Sequence, residues 1–318
     1  MFELFFLLSL VVTILTGLLI ATPLTGALVR LRANYNPRGL QLDDEGNAEP
    51  HTGPIVTSFF GMLGRVKRIE GWSGLYKGFM PTFIETVLLT IYAVLVLPDD
   101  PRYRRSRSVP ASGVVDLTLY SLVLIVVSLP ATVITYRSIT TPYRLPWLNP
   151  VYSLRVLLTP TERRKPWVIY LTPGLFLSQF LHAILTILFL GTLRNLLIPQ
   201  SAEEVHPARL AIYLVIASLS TVVLCPLEVI ITKLAIQRNH AAAEYNSVAQ
   251  EVEDDAVPTE EFVEYSGSEE DVIGLRHERD PYLGLVDCAK KVAQEEGWTA
   301  LYRAWWYTWF VTALSTFA

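Results

Sequence analysis

The sequence predicts an all-α membrane protein, a bundle of six transmembrane helices in three pseudo-symmetric repeats, with short surface helices between the odd and even spans. Three observations predict this architecture: an apolar composition, six apolar stretches and a motif that recurs three times. Apolar residues make up 51% of the 318 residues and charged residues only 18%, whereas soluble proteins carry about 25% charged residues. The composition therefore argues against an ordinary soluble enzyme and against a disordered chain.

Five apolar stretches are long enough to be predicted as membrane spans, and a sixth, about 304–318, is shorter. A helix of about 20 apolar residues crosses the hydrocarbon core, and irregular backbone cannot face lipid. The stretches are approximately 2–31, 80–97, 113–138, 172–198, 208–237 and 304–318. We interpret the first as a retained helix rather than a secretory signal, because Glu3 precedes its apolar run and no lysine or arginine does.

A proline followed seven residues later by a cation occurs near the end of the first, third and fifth spans. The pairs are Pro23 with Arg30, Pro130 with Arg137, and Pro226 with Lys233. One such pair would mean little, but three at the same end of alternate spans indicate an internal repeat.

A second motif follows each of these segments. The sequence EGWSGLYKG at 70–78 is repeated as EGWTALYRA at 296–304, and the decayed middle copy is best matched at 169–172. A short amphipathic segment precedes each copy, at about 54–69, 149–158 and 282–295. The unit of helix, surface helix and helix therefore occurs three times. The predicted repeats are 1–97, 113–198 and 208–318.

An acidic insert interrupts the third repeat at 239–280. It holds thirteen acidic residues against two arginines and lacks apolar periodicity, which predicts a disordered linker, or alternatively a docking site for a basic protein partner. These acids would repel phosphates, so we expect no nucleic-acid partner. No phosphate loop, metal-ligand spacing, calcium loop or nucleophile elbow is present in the sequence, so we expect no enzymatic activity, metal or cofactor.

The stretch YLGLVDCAKKVAQEEGWTALYR at 282–303 resembles the surface helix and linker of the mitochondrial carrier family. The resemblance covers essentially the whole chain as a single domain, 1–318, and is strongest in the third repeat and weakest in the second. It implies a monomeric, multi-pass protein of a mitochondrial membrane that exchanges solutes. The inner membrane is the family's usual location, and the outer membrane remains an alternative.

The resemblance also implies hinges and gates at the three prolines, which kink their helices near the membrane surface; static bends are the alternative. Family members carry an acid two residues after each proline and a cation five residues after it. Those positions here are Thr25, Thr132 and Glu228 for the acids, and Leu28, Thr135 and Ile231 for the cations. We therefore expect none of the family's salt bridges between repeats. Glu228 is expected to bond to Thr25, Thr132 or water, and the later cations Arg30, Arg137 and Lys233 to extend to lipid headgroups.

The resemblance places solute contacts seven residues beyond the linker glycine on the even helices. Those positions and their neighbours are Glu85, Gln179, Phe180, His182 and Val311. The counted positions hold no lysine or arginine, so anionic solutes, which require cationic partners, are disfavoured. Glu85 is an ionisable group within a span and hence a candidate solute contact, or else a carboxylate stabilised by the helix dipole. His182 is either its hydrogen-bonding neighbour or a satisfied interior histidine.

Aromatic and basic residues lie just before two even helices, where they suit an anionic lipid headgroup. They are Tyr76, Lys77, Tyr302 and Arg303, and Gly78 adds an exposed backbone N–H group to the first pair. The resemblance implies cardiolipin as that lipid, and an interfacial belt with no particular lipid is the alternative.

Two functions follow from these patterns. The first is a divergent mitochondrial carrier that moves a small neutral or cationic solute by alternating access. The alternative is a non-transporting carrier-like protein of the outer mitochondrial membrane, acting in fusion, lipid handling or protein insertion. The lost gate pairs and the long acidic insert would suit this second function.

Overall fold

A computed structural model describes residues 2–38, 41–42, 48–49, 54–96, 114–147, 149–198, 207–239, 271–276 and 280–315. Most of the acidic insert lies outside these residues. The described chain is helical apart from connecting segments and one short antiparallel pairing of strands β1 (Gln41–Leu42) and β2 (Ala48–Glu49), in which Gln41 pairs with Glu49. The prediction of an all-α fold is confirmed at this level.

Apolar helices lie in each of the six predicted spans. They are α1 (Phe2–Ala33), α4 (Phe79–Val96), α5 (Val114–Thr140), α8 (Leu175–Ala183) continuing through a π-helical segment (Ile184–Leu190) into α9 (Gly191–Leu197), α10 (Pro207–Ile236) and α12 (Trp305–Leu314). Within the described residues, four segments are long and apolar enough to cross a membrane. These are Ser9–Ala33, Leu122–Thr140, Leu175–Arg194 and Pro207–Ile236. Each of these helices contacts the next along the chain.

Short helices occupy the connections between the long ones. They are α2 (Phe59–Ile69), α3 (Gly71–Leu75), α6 (Pro150–Leu157), α7 (Pro160–Arg164) and α11 (Leu285–Glu295). Local sequence explains where several begin: Ser58 caps α2 by accepting from the Gly61 amide, and Asn149 caps α6. Thr159 and Glu162 cap α7 reciprocally, each side chain accepting from the other residue's backbone amide.

Three buried ion pairs tie the ends of α1, α5 and α10 to the connections that follow them. Arg30 pairs with Glu70, Arg137 with Glu162, and Lys233 with Glu296, each at 2.6 Å. The expectation that these cations extend to lipid headgroups is therefore wrong. The connecting chain folds back beneath each helix end and brings a carboxylate close enough to pair with the cation inside the protein.

The residue between connector and even helix adopts a left-handed conformation in all three predicted repeats. The φ angle is +84° at Gly78, +78° at Gly174 and +55° at Ala304. The best sequence match to the middle copy, at 169–172, ends two residues before the left-handed residue. The backbone identifies Gly174 as the equivalent position, because glycine adopts positive φ without a steric penalty.

Part of the predicted disordered insert is packed against the body of the protein. Val272 and Ile273 are 8% exposed and belong to the apolar core formed with α1 and α2. The Arg65 guanidinium donates to the backbone carbonyls of Asp271 and Val272, and the amide of Tyr35 donates to the carbonyl of Gly274. The prediction of disorder is therefore wrong for 271–276, where two apolar residues and these hydrogen bonds anchor the segment.

Candidate functional site

A central cavity of about 440 Å³ lies among the long helices. Residues from α1, α4, α5, α8, the π-helical segment, α10 and α12 line it. Its polar lining residues are Arg32, Ser128, Thr132, Tyr136, Gln179, His182, Thr186, Glu228, Tyr307 and Thr308. Pockets of about 300–1,000 Å³ with a few polar groups are typical of small-molecule sites, so this cavity could hold a small solute.

A network of charges crosses this cavity. Glu228 on α10 accepts from the Arg32 guanidinium on α1 at 2.6 Å and from the Thr308 hydroxyl on α12 at 2.6 Å. The same guanidinium nitrogen donates to the Thr308 hydroxyl at 2.8 Å. Nε2 of His182 on α8 lies 3.5 Å from the second Glu228 oxygen. The network therefore connects four helices and places opposite charges in direct contact.

The structure corrects the expected partners of Glu228. Neither Thr25 nor Thr132 bonds to it, because Arg32, His182 and Thr308 occupy both carboxylate oxygens. The Arg32–Glu228 pair is a salt bridge between the first and third predicted repeats, formed with a cation outside the family's cation positions. Arg32 lies nine residues after Pro23, beyond the positions that the family resemblance drew attention to.

The predicted solute contacts divide into two groups. Gln179, His182 and Val311 line the central cavity. Phe180 lies outside it and stacks on Phe176, with ring centroids 6.2 Å apart. Glu85 lines a different space, a lateral cleft of about 580 Å³ between α4, α5 and α6.

The wall of the cavity includes an irregular helical segment. The π-helical residues Thr186 and Ile187 face the cavity, and the Thr186 hydroxyl donates to the backbone carbonyl of His182 at 2.8 Å. π-Helical turns often occur at functional sites, where they re-aim side chains. No apolar pattern in the sequence had indicated this segment.

The predicted hinge residues lie inside the long helices. Pro23 is within α1, Pro130 within α5 and Pro226 within α10. Thr132 lines the cavity, and its hydroxyl donates to the carbonyl of Ser128 at 2.8 Å. Thr25 is half-buried and does not line the cavity.

The two cations predicted to hold a lipid headgroup are occupied inside the protein. Lys77 Nζ donates to Glu70 at 2.5 Å and to the Thr141 carbonyl at 2.7 Å. Burial lowers the pKa of Lys77 to about 8, although the Glu70 carboxylate acts in the opposite direction. The Arg303 guanidinium pairs with Glu296 at 2.8 Å. Both cations therefore stabilise the connections between helices.

The remaining predicted lipid contacts are aromatic residues or backbone. Tyr76 is half-buried and Gly78 is buried at the start of α4. Tyr302 is 38% exposed, and its hydroxyl donates to the carbonyl of Val222 at 3.2 Å. An exposed tyrosine ring beside a membrane helix suits the interfacial belt that was the alternative to a specific lipid site.

Three residues central to this arrangement were not identified from sequence. Arg32 and Thr308 complete the cavity network, and Glu162 supplies the middle ion pair. The threonine–proline–acid pattern of a capping box at 159–162 was a usable local signal for Glu162. Arg32 and Thr308 are 276 positions apart, so their contact had no local signal.

Comparison with known proteins finds a family match in the last third of the chain. Residues 206–318 match the family model described as mitochondrial carrier protein. The match covers the predicted third repeat, where the sequence resemblance was strongest. No curated protein matches the chain. The match supports membership of the mitochondrial carrier family over residues 206–318, which are 113 of the 318 residues.

Proposed function

We propose that this protein moves a small neutral or cationic solute across the inner mitochondrial membrane by alternating access through the central cavity. The observation that carries the proposal is the cavity of about 440 Å³, which residues of all three predicted repeats line with polar groups. We propose a six-helix bundle of three repeats as the transporting unit.

The charges in the cavity favour a solute without net negative charge. Arg32 and Glu228 are in contact at 2.6 Å and neutralise one another, and Thr308 and His182 are also bonded to or beside Glu228. A nucleotide or di-acid needs several cationic partners. Arg32 is the only lysine or arginine among the described lining residues, and its charge is already used.

The same network provides a contact that must change during transport. It connects α1, α8, α10 and α12 around the cavity, and Pro23, Pro130 and Pro226 supply bends in the odd helices. A solute that hydrogen-bonds to Glu228 or Arg32 would compete with this contact and loosen it. Binding would thereby shift the population towards a conformation open on the other side.

The proposal is tested by filling the cavity without altering the rest of the bundle. Ser128 faces the cavity, whereas Val126, two residues earlier on α5, is 49% exposed outside it. Ser128→Phe should abolish uptake into proteoliposomes, and the matched Val126→Phe should retain it. The assay measures uptake of labelled neutral amino acids, polyols and primary amines, after a check that both variants are folded.

We expect the wild type and Val126→Phe to take up one of these solutes and Ser128→Phe to take up none. Equal uptake by both variants would show that the cavity is not the route. Absence of uptake across the whole panel would overturn the proposal in favour of the non-transporting alternative.

A further inference from the structure

The lateral cleft that contains Glu85 is separate from the central cavity. Its volume is about 580 Å³, and residues of α4, α5 and α6 form its walls. The lining is dominated by apolar side chains, and its polar members are Tyr76, Lys77, Glu85 and three serines (Ser73, Ser138 and Ser153). Ile84 and Leu88 on its edge are 51% and 52% exposed. The cleft therefore opens towards the surface that lipid would cover.

Glu85 supplies the one carboxylate among the described lining residues of this cleft. It is half-buried and makes no hydrogen bond or ion pair with any residue that the structure describes. It lies seven residues beyond Gly78, about 10 Å along the helix axis. An ionisable group at that depth is costly without a partner, and such groups mark binding sites by default.

No cation of the cleft is positioned to neutralise this carboxylate. Lys77 lies eight residues before Glu85, and its ammonium is bonded to Glu70 and to the Thr141 carbonyl. The cleft thus combines one acceptor-only charged group with an apolar wall. An ammonium group is the complementary partner, since charge-assisted hydrogen bonds are the strongest available there.

Aromatic rings add a second feature to the apolar wall. Phe79 stacks on Trp147 with ring centroids 5.7 Å apart, and Trp147 is 56% exposed. Both residues line the cleft, with Pro130 and Ile134 on the α5 side. An apolar body can pack on these rings while its amine pairs with Glu85 in the same cleft.

We propose that the cleft binds a lipophilic amine entering from the membrane, with its ammonium against Glu85 and its apolar body against Phe79 and Trp147. The site is distinct from the solute cavity and does not depend on transport. A zwitterionic phospholipid fits less well, because its ammonium would bring a phosphate group into the apolar cleft.

The test uses Trp147 as a reporter in lipid nanodiscs containing the full chain. The probe is 4-(4-bromophenyl)butylamine, whose heavy atom quenches nearby tryptophan fluorescence, compared with the corresponding alcohol and carboxylic acid. The contribution of Trp147 is isolated by subtracting the signal of Trp147→Phe. We expect saturable quenching by the amine. The apparent affinity for the alcohol and the acid should be at least about tenfold weaker, because neither can form the charge-assisted bond.

Variants at Glu85 separate binding from partition into lipid. Glu85→Gln should weaken the quenching affinity by about tenfold or more, while Glu85→Asp should keep saturable quenching. Both variants are compared in the same nanodiscs at the same amine concentrations, so non-specific partition cancels. Ser128→Phe, which fills the central cavity, should leave the quenching of Trp147 in place.

Three results would overturn the proposal: equal quenching by amine, alcohol and acid; unchanged affinity in Glu85→Gln; or loss of quenching in a folded Ser128→Phe. The first would indicate simple partition, the second a site that does not use the carboxylate, and the third binding in the solute cavity. A lyso-phosphatidylethanolamine that displaced the amine with higher affinity would replace it as the occupant and refute the proposal.

Discussion

Removing the negative charge of Glu162 tests how far the buried ion pairs hold this fold together. Glu162 is fully buried and accepts from two Arg137 nitrogens at 2.6 and 2.9 Å, and from the amides of Thr159 and Asn239 at 3.0 and 3.1 Å. Glu162→Gln keeps the shape but places an NH₂ group against donors. It also leaves the Arg137 charge buried without its counter-ion.

Breaking a buried pair from one side costs about 3–5 kcal/mol. Since 1 kcal/mol shifts the melting temperature of a domain of 150–250 residues by roughly 2–4 °C, Glu162→Gln should lower it by roughly 6–20 °C. Cys225 and Cys288 are both buried, so a thiol-reactive dye reports unfolding in detergent. Asp271→Asn, at an exposed side chain, is the control and should melt like the wild type.

A melting temperature for Glu162→Gln within about 2 °C of the wild type would refute this reasoning, because it corresponds to less than about 1 kcal/mol. The double variant Arg137→Leu/Glu162→Leu provides a further check. It should lose less stability than the sum of the single variants, because the second substitution removes the uncompensated charge.

Further predictions concern backbone conformation and pH. Ala304→Gly should stabilise the protein by up to about 1 kcal/mol, because a left-handed alanine costs about 1–2 kcal/mol and the added glycine entropy offsets part of the gain. Gly174→Ala should destabilise the protein by more than about 2 kcal/mol, since the added Cβ would lie 2.3 Å from the Leu285 nitrogen. The same dye assay measures both variants, and stability changes of the same sign in the two would contradict the argument. Burial lowers the folded-state pKa of Lys77 to about 8, so wild-type stability relative to Lys77→Met should rise from pH 8 towards pH 10, and a flat difference would contradict that pKa. Burial alone would raise the pKa of Glu162, but hydrogen bonds and the charge of Arg137 hold that pKa below its usual value. The stability difference between wild type and Glu162→Gln should therefore persist at pH 5 and decrease only as the pH falls below about 4. A stability difference that already decreases above that pH would contradict a lowered pKa.

The local patterns in the sequence predicted the elements more reliably than the contacts. Runs of apolar residues placed all six helices, and short amphipathic segments coincide with α2, α6 and α11. The position of the middle linker was not predicted correctly, because its sequence motif has decayed. In the middle copy, only the structure shows the corresponding features, which are the left-handed φ of Gly174 and the capping box at Thr159 and Glu162.

The charged groups show the limit of the sequence argument most clearly. The proline motifs correctly singled out Arg30, Arg137 and Lys233, but assigned them to the membrane surface instead of buried ion pairs. A helix end of mixed polarity has the same sequence whether lipid or a folded-back carboxylate covers it. The choice between them depends on the path of the connecting chain.

By itself, the sequence predicted the apolar helices, a threefold repeat and a resemblance to a known family, because apolar length, proline position and linker motifs are properties of neighbouring residues. The tertiary structure alone decided that Arg32 on α1 meets Glu228 on α10 and Thr308 on α12. It also placed Gln179 in the central cavity and Glu85 in a lateral cleft. These assignments follow from how the helices rotate and pack against one another, and residues far apart in the chain jointly set that packing.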